Sequence, residues 1–251
     1  MSIVPEPAPD ATLEDKTILL LARLMEGGKE DEDTCKELNL LTKMLTDDAF
    51  PGTRSPEPHK PLWELLDIDS VEMMLGYLDM RQSATVRGHA ILTISSYLKA
   101  SGQTGIEYLT EFFNTRVRQG TYDDLIVAFS VAASLFPILP EVIASLFLTD
   151  GFVNSIGPLM QRKWKSRKVE QAALELINAA CMNTACREAI QKYCTGWLEE
   201  IVQTTPEMPT DVTTPGGTLL EDGSIQQRIH SQLVRNLAAV ILAKIQVSRP
   251  A

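Results

Sequence analysis

The sequence predicts an all-α chain built from a repeated helical unit, and three observations carry that prediction. Almost every structured stretch spaces its apolar residues at the three- and four-residue intervals of an amphipathic helix. No stretch alternates apolar and polar residues long enough to read as a strand. Four segments superimpose in one apolar register: "VRGHAILTISSYL" from Val86, "VAFSVAASLFPIL" from Val127, "VEQAALELINAAC" from Val169 and "IHSQLVRNLAAVI" from Ile229.

Each of these segments has an apolar residue at its first, sixth, ninth and last position. The four sets are Val86, Ile91, Ile94 and Leu98; Val127, Ala132, Leu135 and Leu139; Val169, Leu174, Ile177 and Cys181; Ile229, Val234, Leu237 and Ile241. The fifth position is apolar as well: Ala90, Val131, Ala173 and Leu233. The starts lie 41, 42 and 60 residues apart, the last interval being one period enlarged by the insertion 204–223. A period near ~40–47 with two or three helices per unit is the signature of armadillo and HEAT repeats. Each unit leaves an apolar face that only a neighbour can cover, so the expected architecture is an armadillo/HEAT-like right-handed α-solenoid.

Taken in order, residues 1–11 are expected to be disordered. Thr12 and Asp15 have capping-box spacing, and Ile18, Leu19, Leu21, Ala22 and Met25 follow in helical rhythm, so a first helix starts at Thr12. Gly27 and Gly28 end it. A second helix runs from about Asp33 to Leu45 with Leu38, Leu41 and Leu45 on one face, and its acidic start "EDEDT" complements the positive end of the helix dipole. Together they make an N-terminal helical pair over 12–46. Residues 47–61, "DDAFPGTRSPEPHKP", carry four prolines and read as a linker or loop. An armadillo-like domain is expected over 62–247, with helices near 69–79, 83–99, 104–118, 121–136, 140–148, 152–162, 167–181, 184–203 and 224–247. Its insertion 204–223, rich in Pro, Thr and Gly, is expected to be mobile, and 248–251 form a tail.

Composition narrows the function classes. With 251 residues, 44% hydrophobic and 22% charged, the chain is globular and long enough for a substantial core. Thirty-three acidic against 23 basic residues give a formal charge of −10, a field that repels a phosphate backbone, so nucleic acid is not an expected partner. The N-terminus has neither a basic flank nor an apolar run, and no window reaches ~18 uncharged apolar residues, so a soluble, cytoplasmic protein with no membrane partner is expected. Four cysteines fit a reducing compartment.

No nucleotide-binding glycine loop, zinc-protease helix or nucleophile elbow occurs, and the three histidines, His59, His89 and His230, are scattered. No acid/base pair or activated nucleophile can be assembled, so a non-enzymatic protein without cofactor is expected. Cys181, Cys186 and Cys194 are spaced C-x₄-C-x₇-C, which is neither a zinc knuckle nor a redox pair. Cys181 falls on the last apolar position of its repeat and the other two lie about two turns apart on the next helix, as packing residues do. Cys186 sits near a helix N-terminus, which lowers a thiol pKa, and is the one with a claim to reactivity.

The polar residues of the repeated helices, Arg87, Gln171, Glu175 and Arg235, are candidates for the concave binding surface of a solenoid. The segment "RKWKSRK", with Arg162, Lys163, Trp164, Lys165, Arg167 and Lys168, is a second candidate, either docking an acidic partner around Trp164 or standing as a solvated inter-helix turn. Asn178 and Asn236 occupy different register positions, so the asparagine ladder of peptide-binding armadillo proteins is not expected.

Two stretches carry a resemblance: "ASLFPILPEVIASLFLTDGFV" at 133–153 and "KVEQAALELINAACMNTACREAIQKYCTGWL" at 168–198. They resemble the central armadillo region of the UCS family of myosin chaperones, most like its fungal members. The resemblance is densest over 120–200 and extends over 62–247. It implies a scaffold or co-chaperone for myosin motor domains in actomyosin processes such as cytokinesis, working with the heat-shock chaperone of the ninety-kilodalton class. The N-terminal TPR domain of animal members has no counterpart pattern here, and the family's myosin-binding UCS domain would follow beyond Ala251. The chain therefore looks like the N-terminal and central part of a longer protein, and no myosin-contact residue transfers to it. Two other readings stand beside this one: an armadillo-type nucleotide-exchange factor or adaptor for a heat-shock chaperone, and a metal or redox protein using the cysteine cluster.

Overall fold

A computed structural model describes residues 11–26, 30–49, 61–119, 121–148, 167–204 and 222–246. Among these the regular elements are all helical and no strand occurs. The chain divides into two compact units, Met1–Thr115 and Arg116–Ala251.

The first unit opens with α1 (Leu13–Met25), where the Thr12 side chain accepts from the Asp15 N–H and the Asp15 carboxylate accepts from the Thr12 N–H, closing both halves of the expected capping box. Glu26 is its C-cap, and the two glycines assigned to its end lie outside the described residues. Helix α2 (Asp31–Ala49) starts earlier and ends later than the periodicity predicts, absorbing Asp47 and Asp48 from the expected loop. Two effects extend it. The acidic first turn is anchored by Lys36, whose ammonium lies 2.9 Å from Glu32. At the other end Leu41 and Leu45 are completely buried, so tertiary packing carries the helix past its last apolar residue.

What packs on α2 is α4 (Ala84–Ser101). A polar seam runs along this contact: Asn39 Oδ1 lies 2.9 Å from His89 Nδ1, Thr42 Oγ1 2.8 Å from Thr93 Oγ1, and Thr46 Oγ1 3.4 Å from Ser96 Oγ. Both sets advance by one helical turn in the same direction, so the two helices run parallel, as equivalent helices of successive repeats do. Thr93 is wholly buried and its hydroxyl also donates to the carbonyl of His89 or of Leu38, so this polar group is satisfied within the core.

A 3-10 turn (Leu62–Leu65) precedes α3 (Ile68–Gly76), which Asp67 caps by accepting from the Ser70 N–H and hydroxyl. Sequence periodicity carries α3 to residue 79, but the helix stops at Gly76. The buried Asp79 carboxylate accepts from the Arg81 N–H at 2.8 Å and from its guanidinium at 2.5 Å, and this local bonding holds a turn in place of further helix. Helix α4 ends at Gly102, whose positive φ of 57° glycine adopts without the clash a Cβ would bring. Helix α5 (Gln103–Gln119) follows at once. Gly105 lets α5 approach α4: a Cβ there would stand 2.2 Å from Ser101 Oγ and 3.0 Å from Leu98 Cδ2.

The second unit holds α6 (Tyr122–Leu135), α7 (Pro140–Leu148), α8 (Arg167–Ala180), α9 (Thr184–Thr204) and α10 (Asp222–Gln246). Thr121 caps α6, and Arg116 pairs with Asp124 at 2.8 Å. Helix α6 packs on α8 and α8 on α10, so the three segments of the repeat register stack in order, in the manner of armadillo repeats. The register itself is visible in burial. Val169, Leu174 and Ile177 on α8 and Cys181 just past its end are buried, as are Ala132 and Leu135 on α6 and Val234 and Ile241 on α10, while Val127, Leu139 and Leu237 are half-buried. Helix α8 stands between two neighbours and is buried on two sides. Helix α10 is buried on the stripe Val234, Ala238, Ile241 and Ile245, while Leu233, at the fifth register position, is 46% exposed. The helix expected at 152–162 lies outside the described residues, as do 1–10, 51–60, most of the insertion and the tail.

Candidate interaction surface

The cysteines resolve first. Cys181, Cys186 and Cys194 are buried thiols that form no disulfide, as is Cys35. Cys186 does not carry the activation its position near a helix start suggests. The N–H that faces the N-terminus of α9 at Cys186 is already taken by Asn183 Oδ1 at 3.1 Å, and the side chain has no exposed surface. Burial pushes the Cys186 thiol up to about 11 and the Cys194 thiol up to about 12, and raises Cys181 in the same direction. Thiols held this firmly protonated are poor nucleophiles. Arg187 Nε donates to the Cys181 carbonyl at 3.0 Å, tying the end of α8 to the start of α9. Among the described residues no group of three or more His, Cys, Asp or Glu side chains is arranged to hold a metal ion.

The polar candidates on the repeated helices fall into separate environments. Gln171 and Glu175 stand together on α8, one turn apart, joined by a 2.8 Å bond from Gln171 Nε2 to Glu175 Oε1. Arg235 reaches from α10 to the Val202 carbonyl near the end of α9, with Nε 3.4 Å away. Arg87, on α4, has a buried Nε without a hydrogen-bond partner. In the basic segment, Arg162, Lys163, Trp164 and Lys165 lie outside the described residues; Arg167 opens α8 and Lys168 follows it, exposed.

Two features escaped the sequence reading. Asn178 on α8 accepts from Lys244 Nζ on α10 at 2.6 Å, so this asparagine bridges neighbouring layers of the stack. The first unit also contains an open groove of about 200 Å³ between α3 and α5. Val71, Leu75 and Phe112 form its buried floor, and Ile68 and Tyr108 stand exposed on its edges. Glu72 from one helix and Glu111 from the other bring carboxylates to it, and the Thr115 hydroxyl donates to Glu111 at 3.2 Å. The sequence signal was present in Ile68 and Tyr108, apolar residues standing off the buried stripes of their helices. Single exposed apolar residues are too common to mark a site without the groove.

No described helix is long and apolar enough to cross a membrane. No curated protein and no solved structure matches the chain. A sequence profile of the UNC45-central family, described as myosin-binding striated muscle assembly central, matches residues 31–251. The match begins at the first residue of α2, upstream of the 62–247 span over which the resemblance was legible. Repeated helices stacked in register and a profile match over most of the chain lead to one conclusion: the chain belongs to the UNC45-central family of the UCS myosin chaperones.

Proposed function

We propose that the chain is a non-enzymatic scaffold of a UCS-type chaperone that binds myosin motor domains and supports their folding and function in actomyosin processes, in the cytoplasm. The observation that carries this reading is the family match over residues 31–251. The stack of α6, α8 and α10 supports it by supplying an array of half-buried and exposed polar side chains with no need of catalytic chemistry. Gln171, Glu175 and Arg235 are the contact candidates on that array, Arg87 is the candidate on the first unit, and Lys168 is the described exposed member of the basic segment. The ninety-kilodalton heat-shock chaperone is the second partner under this proposal.

The test is aggregation of a purified myosin motor domain under mild heating, followed by light scattering, with the chain or an unrelated acidic protein added. Suppression by this chain alone, together with retention of the motor domain in a pull-down, is the expected result. Scattering that is the same with both additives, and no retention, overturns the proposal.

A further inference from the structure

We propose that the groove between α3 and α5 is a docking pocket for a protein segment that presents one large apolar side chain flanked by lysine or arginine. Its volume of about 200 Å³ lies below the roughly 300–1,000 Å³ of sites that enclose a small molecule, and it is open rather than enclosed. It suits a single anchoring side chain of a longer segment. The floor of Val71, Leu75 and Phe112 supplies the apolar contact, and the exposed faces of Ile68 and Tyr108 extend it on either side.

Charge decides what surrounds the anchor. The charged side chains lining the groove among the described residues are Glu72 and Glu111, one from each wall. Asp69 and Glu107 lie on the same two helices, exposed, one turn or less from these carboxylates. Thr115 holds Glu111 by its hydroxyl, so that carboxylate is oriented rather than free to swing away. A segment with cations beside its anchor finds complementary charge at both walls, whereas an acidic one meets like charge. The net charge of −10 adds a background field of the same sign.

The experiment is fluorescence anisotropy of the full chain with a labelled peptide carrying one tryptophan between lysines. Saturable binding that weakens with salt is expected, with about a tenfold loss when the tryptophan is replaced by alanine and no binding of the glutamate-flanked counterpart. The Glu72→Gln/Glu111→Gln variant should bind the lysine peptide about fivefold more weakly. The Glu72→Lys/Glu111→Lys variant should prefer the glutamate-flanked peptide, a reversal that loss of folding does not produce. Equal binding of both peptides to the parent chain, or unchanged affinities in the glutamine variant, overturns the proposal. So does self-association of the chain that charge reversal abolishes, because the occupant is then a second copy. None of these outcomes depends on myosin, so the pocket and the chaperone reading stand or fall separately.

Discussion

Replacing Ile177 by alanine is the sharpest test of the stacked arrangement. Ile177 holds the ninth register position on α8, has no exposed surface, and belongs to a helix packed by α6 on one side and α10 on the other. The substitution removes three carbons, worth about 2.4 kcal/mol at ~0.8 kcal/mol per buried group. A helix held from two sides cannot close over the space, so a cavity term adds to this and the total is about 3–4 kcal/mol. In a protein of this size that lowers Tm by about 10 °C. Leu233→Ala on α10 is the matched control, because a leucine 46% exposed gives up only about half of that buried area and leaves no enclosed cavity, so it should cost about 1 kcal/mol. Urea unfolding followed by tryptophan fluorescence gives both values, with unchanged m-values as the check that the two states are the same. Equal losses at the two positions, or a loss under about 1 kcal/mol at Ile177, would refute the claim that α8 is an inner layer and α10 an outer one.

Further outcomes follow from local chemistry. Gly105→Ala should destabilise by about 1–3 kcal/mol, because its Cβ would meet Ser101 Oγ, which is buried and bonded to the Tyr97 carbonyl; Ser101→Ala in the same chain should recover part of that loss, measured as a double-mutant cycle. Asp67→Ala removes the cap of α3 and should cost about 1 kcal/mol in thermal melts. The Ser70 bonds hold the Asp67 carboxyl below its usual 3.8, so its contribution is present above that pH and is lost as pH falls through the lower folded value. Cys186 and Cys194 have the opposite sign: their thiols titrate near 11 and 12 when folded, above the usual 9.0, so stability should fall as pH rises beyond 9.0 toward those values. At pH 8 all four cysteines should resist iodoacetamide in the folded chain and react after unfolding, as read by mass spectrometry; rapid labelling of folded Cys186 would contradict its burial. Zinc in the purified chain should stay under about a tenth of an equivalent, and a full equivalent would revive the cysteine cluster as a metal site.

Much of the fold was legible because the physics that forms it is periodic. A helix packed on two sides needs apolar residues at fixed angles, and α8 shows them at Val169, Ala172, Ala173, Leu174, Leu176, Ile177 and Ala180. The capping box at Thr12 was equally legible, since it depends on residues three apart. The ends of α2 and α3 were not, because side-chain contacts outside the apolar periodicity set them: burial of Leu45 against the unit core extends one, and the turn around Asp79 and Arg81 shortens the other. Membership of α2 in the family region was hidden too: beside its leucine stripe, Asn39, Thr42 and Thr46 make polar contacts with α4 that the apolar register of the other segments does not contain. The groove between α3 and α5 depends on which faces two helices leave uncovered, a property of packing that no single helix encodes. For Cys186, proximity to a helix start was the wrong signal, because burial outweighs it.

The seam between α2 and α4 sets position rather than strength. Apolar helix faces can slide past each other with modest loss, whereas Asn39, Thr42 and Thr46 meet His89, Thr93 and Ser96 in one alignment only. A slip of one turn takes the buried Thr93 hydroxyl away from Thr42 and the Leu38 carbonyl and leaves it only the His89 carbonyl of its own helix. The two helices therefore behave as a keyed joint: α2 engages at one notch along α4, and any load applied along it is resisted by the key before it is resisted by the oil.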